Sequence, residues 1–332
     1  MTITVLTKKE MEQVITMRDA VEGDKEALAI YSAGKSDIPL RANLTVKKYA
    51  GNSLYMPGYA EDADALGIKI VSVYPRNAEK GLTSVPAAMV LLNAETGEVK
   101  ALMDGTFLTQ LRTGAVSGAA TDLLARKDSS IFALIGTGGQ AEAQLEAVLT
   151  VRSIKEVRVF SPTAGHAEAF ADRMRTKFGT QFSARITAVA SSDEAIENAD
   201  IITAITTAEQ PVFDGKKVKA GAHINGAGSY MPNMQELPED ILLRAGKIYL
   251  DTRDGVLNEA GDFLTPMQAG RLSADRITGE LGELILQKTA GRQSDDEITV
   301  FKSTGTAVLD IVIAQKIYER AAAQKAGTVI TL

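Results

Sequence analysis

The stretch Ser130-Ile131-Phe132-Ala133-Leu134-Ile135-Gly136-Thr137-Gly138-Gly139-Gln140-Ala141 decides how the rest of the chain is read. Its five residues Ile131–Ile135 are all apolar, the texture of a parallel strand buried on both faces. They run into a GxGxxA sequence, Gly136 to Ala141. That sequence opens a segment with helical spacing, in which Ala141, Leu145, Val148 and Leu149 fall on one side. Strand, glycine turn and helix in this order give the fingerprint its physical meaning. The first glycine permits the tight turn, the second lets the backbone approach a pyrophosphate, and the small Ala141 lets helix pack on strand. Backbone N–H groups at the helix start, with its partial positive charge, would then hold the phosphates. The bland alternative is a plain glycine turn.

Outward from this unit the β-α-β grammar continues. Strands are predicted at 156–160, 184–189, 201–206, 223–225 and 247–250. Helices are predicted at 164–178 and at 192–198, the latter capped by Ser192. Six strands with helical crossovers predict a doubly wound parallel sheet. Beyond the Gly- and charge-rich 279–297, a strand is expected at 297–301, an amphipathic helix at 307–323 and a last strand at 328–332. On the other side, 8–33 reads as one or two helices and 39–104 as short β-like runs at 40–46, 53–57, 67–74, 86–93 and 99–103. Asn93-Ala-Glu-Thr-Gly97 reads as a hairpin turn. Strands in succession without helices suggest an antiparallel or mixed sheet. A helix at 107–127, rich in small residues (Gly114, Ala115, Gly118, Ala119, Ala120), links the two regions.

The 332 residues are enough for two domains of roughly 150 residues each. A net charge of −6 gives no electrostatic reason to expect nucleic acid or an anionic membrane as partner. The absence of Cys excludes disulfides, zinc–thiolate sites and cysteine nucleophiles, and with two His no metal site is expected. No signal-peptide pattern and no run of about 18 apolar residues is present, so no membrane span is expected and the cytoplasm is the default location.

The second strand of the βαβ unit ends at Phe160-Ser161-Pro162-Thr163, with His166 close behind. An NAD-selective site usually carries a carboxylate here for the ribose 2′-hydroxyl. None is present to repel a 2′-phosphate, and two hydroxyls could donate to one, so NADP(H) is preferred and NAD(H) remains possible. The alternative is that Ser161 and Thr163 cap the next helix. In the first region, Arg41 follows Ile-Pro-Leu, Lys69 lies inside the apolar run Gly67-Ile-Lys-Ile-Val71, and Arg112 lies in Leu108-Thr-Gln-Leu-Arg112-Thr-Gly-Ala-Val116. A lysine in a buried strand must be paired or do chemistry, because an unpaired buried ammonium is costly. Two arginines and a lysine would suit a carboxylate ligand. The plain alternative is a set of surface ion pairs.

Taken in order, Arg41, the run Gly67-Ile-Lys69-Ile-Val-Ser-Val-Tyr-Pro75-Arg-Asn77, Leu111-Arg112-Thr-Gly-Ala-Val-Ser-Gly118, Gly136 to Ala141 and Phe301-Lys-Ser303-Thr-Gly305 resemble the ornithine cyclodeaminase/mu-crystallin family. The resemblance spans nearly the whole chain. It implies an α/β protein in which a Rossmann domain (118–307) is inserted into an α+β substrate-binding and dimerisation domain (1–117 with 308–332), and a homodimer formed through the latter. It also implies that Arg41, Lys69 and Arg112 clamp an α-carboxylate, with Lys69 close to the reacting carbon and available as proton donor. Thr206 and Thr207 match a segment lining the nicotinamide, and Ser303 and Gly305 a loop that closes near it. Met56, Tyr74 and Tyr230 are expected to shape the side-chain pocket. There is one departure. The cyclodeaminase branch carries an Asp where His223-Ile-Asn-Gly-Ala-Gly228-Ser229-Tyr230-Met-Pro232 has Tyr230. Tyrosine is a poor base near neutral pH, its reference pKa being about 10. The ketimine-reductase-like branch of the family also lacks this Asp, so the resemblance implies reduction of a cyclic ketimine carboxylate by NAD(P)H. The alternatives are reductive amination of a 2-oxo acid, cyclodeamination with Asp251 or Glu236 replacing the missing Asp, and a non-catalytic role binding NADP or a small ligand.

Overall fold

The structure, a computed structural model, describes residues 1–332 apart from the side chain at position 78. In chain order the first elements are β1 (Thr2–Leu6), α1 (Lys8–Val14), α2 (Met17–Ser32), β2 (Ser36–Asp37), β3 (Ala42–Val46), β4 (Gly51–Ala60), β5 (Ala65–Val73), β6 (Ala87–Leu92), β7 (Val99–Asp104) and α3 (Gly105–Leu124). Next come β8 (Ile131–Ile135), α4 (Ala141–Val151), β9 (Glu156–Phe160), α5 (His166–Phe178), β10 (Arg185–Ala188), α6 (Ser192–Ile196), β11 (Ile201–Ala204) and β12 (His223–Gly226). The chain closes with α7 (Glu239–Arg244), β13 (Lys247–Leu250), α8 (Arg253–Glu259), α9 (Gly261–Gln268), β14 (Gly279–Glu280), α10 (Leu281–Ile285), β15 (Thr299–Lys302), α11 (Ala307–Gln324) and β16 (Thr328–Thr331). Two compact units result, one of Met1–Arg112 with Thr306–Leu332 and one of Thr113–Gly305. The first cut falls inside the continuous helix α3, where the sequence offers no break to mark it.

The first unit holds a mixed sheet of order β16-β1-β7-β6-β5-β4-β2, with β3 also on β4. Strands β4 to β7 form an antiparallel meander, β1 runs parallel to β7, and β16 closes antiparallel on β1. The hairpin turn at Asn93 forms as expected. Its side-chain oxygen accepts the N–H groups of Glu95 and Thr96, and Gly97 takes φ +74°. Helix α11 packs on β4, β5 and β6 and against α1 and α2. The approach is close enough that a Cβ on Gly58 of β4 would meet Ile311 and Ala307 of α11 at 3.2 and 3.4 Å. Along β5 the buried side chains are Ala65, Gly67, Lys69 and Val71, so the period-2 pleat puts Lys69 on the core side.

The structure differs from the sequence reading at two elements here. Strand β1 has no counterpart in the sequence pattern, because Thr2–Leu6 is short and runs straight into Lys8 and Lys9. Helix α11 is not amphipathic over its first half: its residues from Ala307 to Gln315 are all buried, since it has sheet on one side and helices on the other.

The second unit is an all-parallel sheet of order β10-β9-β8-β11-β12-β15-β13-β14. Alternation along β8 feeds two cores. Phe132 and Leu134 pack with Leu145, Val148, Phe170 and Met174 on one face, while Ala133 and Ile135 pack with Ile196, Ile241 and Phe263 on the other. This is the doubly wound arrangement expected from the sequence. The strand expected at 297–301 is β15, and it enters the sheet between β12 and β13, a crossover that sequence order does not reveal. The short β14 is likewise absent from the sequence pattern. Helix α6 is capped by Ser191, which accepts from the Glu194 N–H, and not by Ser192, which is its first residue.

Candidate active site

Because every strand of the second unit is parallel, the segments after β8, β9, β11, β12 and β15 emerge at one rim of the sheet. The strand order reverses between β8 and β11, the switch point where open α/β sheets bind ligands. The glycine turn sits there. Gly136 adopts φ +109°, and a Cβ on it would collide with the Ile205 carbonyl oxygen, so both conformation and space demand glycine. At Gly138 a Cβ would meet nothing within 4 Å, and Gly138 and Gly139 are exposed. No contact among the described residues therefore requires glycine at 138. Gln140 forms the N-cap of α4, and its buried Oε1 has no hydrogen-bond partner among the described residues. Ala141 is fully buried against the sheet, and a Cβ on Gly114 of α3 would collide with the Ala143 carbonyl oxygen of α4. An open glycine turn at a helix start, with Thr137 half-buried beside it, fits a dinucleotide pyrophosphate.

Ser161, Pro162, Thr163 and His166 lie in the open loop after β9 and at the start of α5. The capping alternative fails here. The N-cap of α5 is Gly165, with no side-chain cap, and the Ser161 hydroxyl instead accepts from the Thr163 N–H at 3.4 Å. No carboxylate stands in 160–166.

The two buried carboxylates that the sequence offers as replacement bases prove to be tied down. Glu236, fully buried, accepts the N–H and hydroxyl of Thr206 on one oxygen and the N–H groups of Gly228 and Ser229 on the other. Burial, opposed by Lys302 nearby, pushes its carboxyl up from the ordinary value. Asp251 accepts the Ser303 hydroxyl at 2.7 Å and the N–H groups of Thr304 and Gly305 at 3.1 and 2.8 Å. These carboxylates fix the loops bearing Thr206, Thr207, Ser303 and Gly305. Tyr230, half-buried, follows β12 on the same rim. His223 spans β12 and β15, with Nδ1 2.9 Å from Thr299 Oγ1 and Nε2 3.0 Å from Asn225 Oδ1. Burial, with Arg292 adding, holds its pKa down at about 3, so it is a neutral structural group.

The first unit assembles the three cations. Lys69 on β5 is 1% exposed and Arg112 on α3 is 6% exposed, which disposes of the surface-ion-pair alternative for these two. Arg41, half-buried, precedes β3. Met56 on β4 is the cross-strand partner of Lys69 and is buried with it. Tyr74 lies over Gly51, where a Cβ would collide with its ring. Sequence reasoning missed Asp310 on α11. One of its oxygens lies 2.6 Å from Lys69 Nζ and the other 2.9 Å from Arg112 Nε. Asp24 of α2 is also fully buried, and neither of its carboxyl oxygens has a hydrogen-bond partner among the described residues. The signal for both was present: each is an acidic residue inside an otherwise apolar helix face. Burial first, then the nearby Arg112, lowers the Lys69 ammonium to about 7, against the opposing pull of Asp310. A lysine tuned this way exchanges a proton at neutral pH. Arg112 Nη1 is buried without a hydrogen-bond partner among the described residues, a donor set ready for an anion.

The chain belongs to the ornithine cyclodeaminase/mu-crystallin family, which it matches over residues 1–325. It is 40% identical to a Δ1-pyrroline-2-carboxylate reductase of Bacillus cereus, over 97% of this chain and 98% of that protein. It is 41% identical, with a TM-score of 0.94, to the solved structure of the Thermococcus litoralis Δ1-pyrroline-2-carboxylate reductase in complex with NADH and L-proline, covering 98% of this chain and 99% of that one. An archaeal alanine dehydrogenase dimer with bound NAD is similar at 35% identity and a TM-score of 0.91, with both chains fully covered.

Proposed function

We propose that this protein is an NAD(P)H-dependent reductase of cyclic ketimine carboxylates, converting Δ1-pyrroline-2-carboxylate to L-proline and Δ1-piperideine-2-carboxylate to L-pipecolate. The observation that carries this reading is the buried trio of Lys69, Arg112 and Asp310, with an unpartnered Arg112 nitrogen beside a lysine poised to exchange a proton. The similarity to reductases of this substrate at about 40% identity over the full length supports it.

A reduced nicotinamide dinucleotide, seated on Gly136 to Ala141, supplies the hydride for the imine carbon. Every other task falls to the chain. Arg112 and Arg41 take the substrate carboxylate and so fix which face of the ring is presented. As the C=N bond accepts hydride on carbon, its nitrogen needs a proton. Lys69 donates it and regains one from solvent, a general-acid role suited to a group titrating near neutrality. Thr206, Thr207, Ser303 and Gly305, held by Glu236 and Asp251, form the wall on the nicotinamide side, and Met56, the cross-strand partner of Lys69, lies beside the substrate on the first unit. NADPH is the preferred donor on this reading, because Ser161-Pro162-Thr163 offers hydroxyls and no carboxylate. NADH is also accepted, in keeping with the Thermococcus litoralis relative that holds it. The active form is a homodimer, as in the alanine dehydrogenase relative.

Following NADPH and NADH oxidation by absorbance with Δ1-pyrroline-2-carboxylate tests the proposal. Fast oxidation is expected, faster with NADPH, and absence of oxidation with both cofactors would sink it. Reductive amination is the second reading, favoured by the alanine dehydrogenase relative. Turnover of pyruvate with ammonia, without turnover of cyclic imines, would identify it.

A further inference from the structure

We propose that Asp310 is a positioning residue for this reaction: a single carboxylate from the C-terminal helix holds the Lys69 ammonium and the Arg112 guanidinium side by side, setting both the proton donor and the carboxylate-binding fork. This rests on the reading of the protein as an imine reductase. The geometry is specific, because the two oxygens of Asp310 are divided, one to Lys69 at 2.6 Å and one to Arg112 at 2.9 Å. All three side chains are buried, so solvent does little to screen them.

The charged and titratable groups around Asp310 come from three elements, Lys69 from β5, Arg112 from α3 and Asp24 from α2. Arg41 acts on Lys69 as a second repelling cation. Two buried carboxyls therefore act on Arg112, and one of them, Asp310, also reaches Lys69. Burial pushes the Asp24 carboxyl well up, with Arg112 opposing and Asp310 adding, and of the two carboxyls it is Asp310 whose oxygens reach both Lys69 and Arg112. Asp310 also lies in the first turn of the 18-residue helix α11, where the helix dipole favours a negative charge. Without that charge, Lys69 would face Arg112 and Arg41 alone and give up its proton at lower pH. The general acid would then be absent at the pH where the enzyme works.

The test compares the full-length protein with Asp310→Asn and Asp310→Glu. Two readouts are taken: the pH profile of kcat with NADPH and Δ1-pyrroline-2-carboxylate, and the titration of Lys69 by NMR in 13C-lysine-labelled protein. The Lys69 signal is assigned by its loss in Lys69→Met. In Asp310→Asn, the Lys69 titration and the high-pH fall of kcat are both expected to move to lower pH by about one unit or more. The kcat loss at pH 8 should be about tenfold for each unit of that shift, because above its pKa the protonated fraction of the lysine falls tenfold per unit, and be smaller at pH 6. Dinucleotide affinity should stay as in wild type. A uniform loss of kcat at every pH, with Lys69 titrating as before, would make Asp310 a packing residue and overturn the proposal. Should Asp310→Asn fail to fold, Asp310→Glu decides. It keeps the charge but moves it by one methylene, so kcat should drop about tenfold or more with Lys69 titrating near its wild-type position. An unchanged kcat overturns the proposal. If wild type fails to reduce the imine, the reductase reading falls, while the Lys69 titration in Asp310→Asn still tells whether Asp310 governs that lysine.

Discussion

Burial and the adjacent Arg112 bring the Lys69 ammonium to about 7, and this sets how turnover should depend on pH. The protonated form is the acid, so kcat is expected to be high below that value and to fall as pH rises through it. Lys69→Met removes the donor and should lower kcat by roughly 10²–10⁴-fold, abolish that limb of the profile, and leave dinucleotide affinity unchanged in a fluorescence titration. Near-normal turnover in this variant would make Lys69 structural. Much of this cluster is legible in the amino-acid sequence alone. The lysine in Gly67-Ile-Lys69-Ile-Val71 reads as a buried cation that must be paired or do chemistry, while the carboxylate-binding task of Arg112 comes from the family resemblance. Their counter-ion is not legible in the same way. Asp310 in Ala307-Val-Leu-Asp310-Ile-Val-Ile313 reads as a buried acid by the same rule. That it meets Lys69, far back along the chain, follows from the packing of α11 on β5, which no local pattern encodes.

The elements around the glycine turn divide two duties that a GxGxxA motif leaves merged. Gly136 serves the fold: its φ of +109° and the close approach of the Ile205 carbonyl oxygen bar any side chain. Gly138 answers to no demand of the fold: a Cβ there meets no described atom within 4 Å, and its φ is not positive, which leaves a bound pyrophosphate as the reason proposed for it. Gly136→Ala is therefore expected to lower Tm by several degrees and to weaken NADPH binding with it. Gly138→Ala should keep the wild-type Tm and still lose about tenfold or more in NADPH affinity, about 1.4 kcal/mol. Thermal unfolding and fluorescence titration on the two variants check this, and equal affinities for wild type and Gly138→Ala would mean that the turn faces no pyrophosphate. The strand-turn-helix unit is legible because hydrophobic run, glycines and helical spacing agree over adjacent residues. The placement of β15 between β12 and β13 is not, since strand order in a parallel sheet is set by long crossovers that leave no local mark. The N-cap of α6 lies one residue earlier than expected because Ser191 and Ser192 are chemically equivalent in sequence, and only backbone conformation selects Ser191, at φ −147°.

In the whole molecule, the sheet of the first unit carries apolar side chains on both faces, although α11 packs on the face that holds Lys69. On the opposite face, Tyr55, Pro57 and Tyr59 of β4, Leu66, Ile68 and Ile70 of β5, Val90 and Leu92 of β6, and Leu102 of β7 alternate with the buried set and stay partly or wholly exposed. Cross-strand register aligns Pro57, Ile68, Val90 and Leu102 in one row across four strands. A contiguous apolar surface of this kind marks an interaction site, and a sheet face meeting its own copy about a two-fold axis satisfies every protomer at once. Sedimentation should therefore give a mass near twice the 35.3 kDa of the chain. Ile68→Glu places a charge in the middle of that row, on the side of β5 away from Lys69, and its side chain is not part of the core. The variant is expected to keep its far-ultraviolet circular dichroism and to sediment as a monomer at micromolar concentration. If it remains a dimer, association runs through another surface of the first unit, such as the exposed strands β3 and β16. If wild type is itself a monomer, this apolar face must have some other occupant, and the dimeric assembly proposed for this chain falls with it.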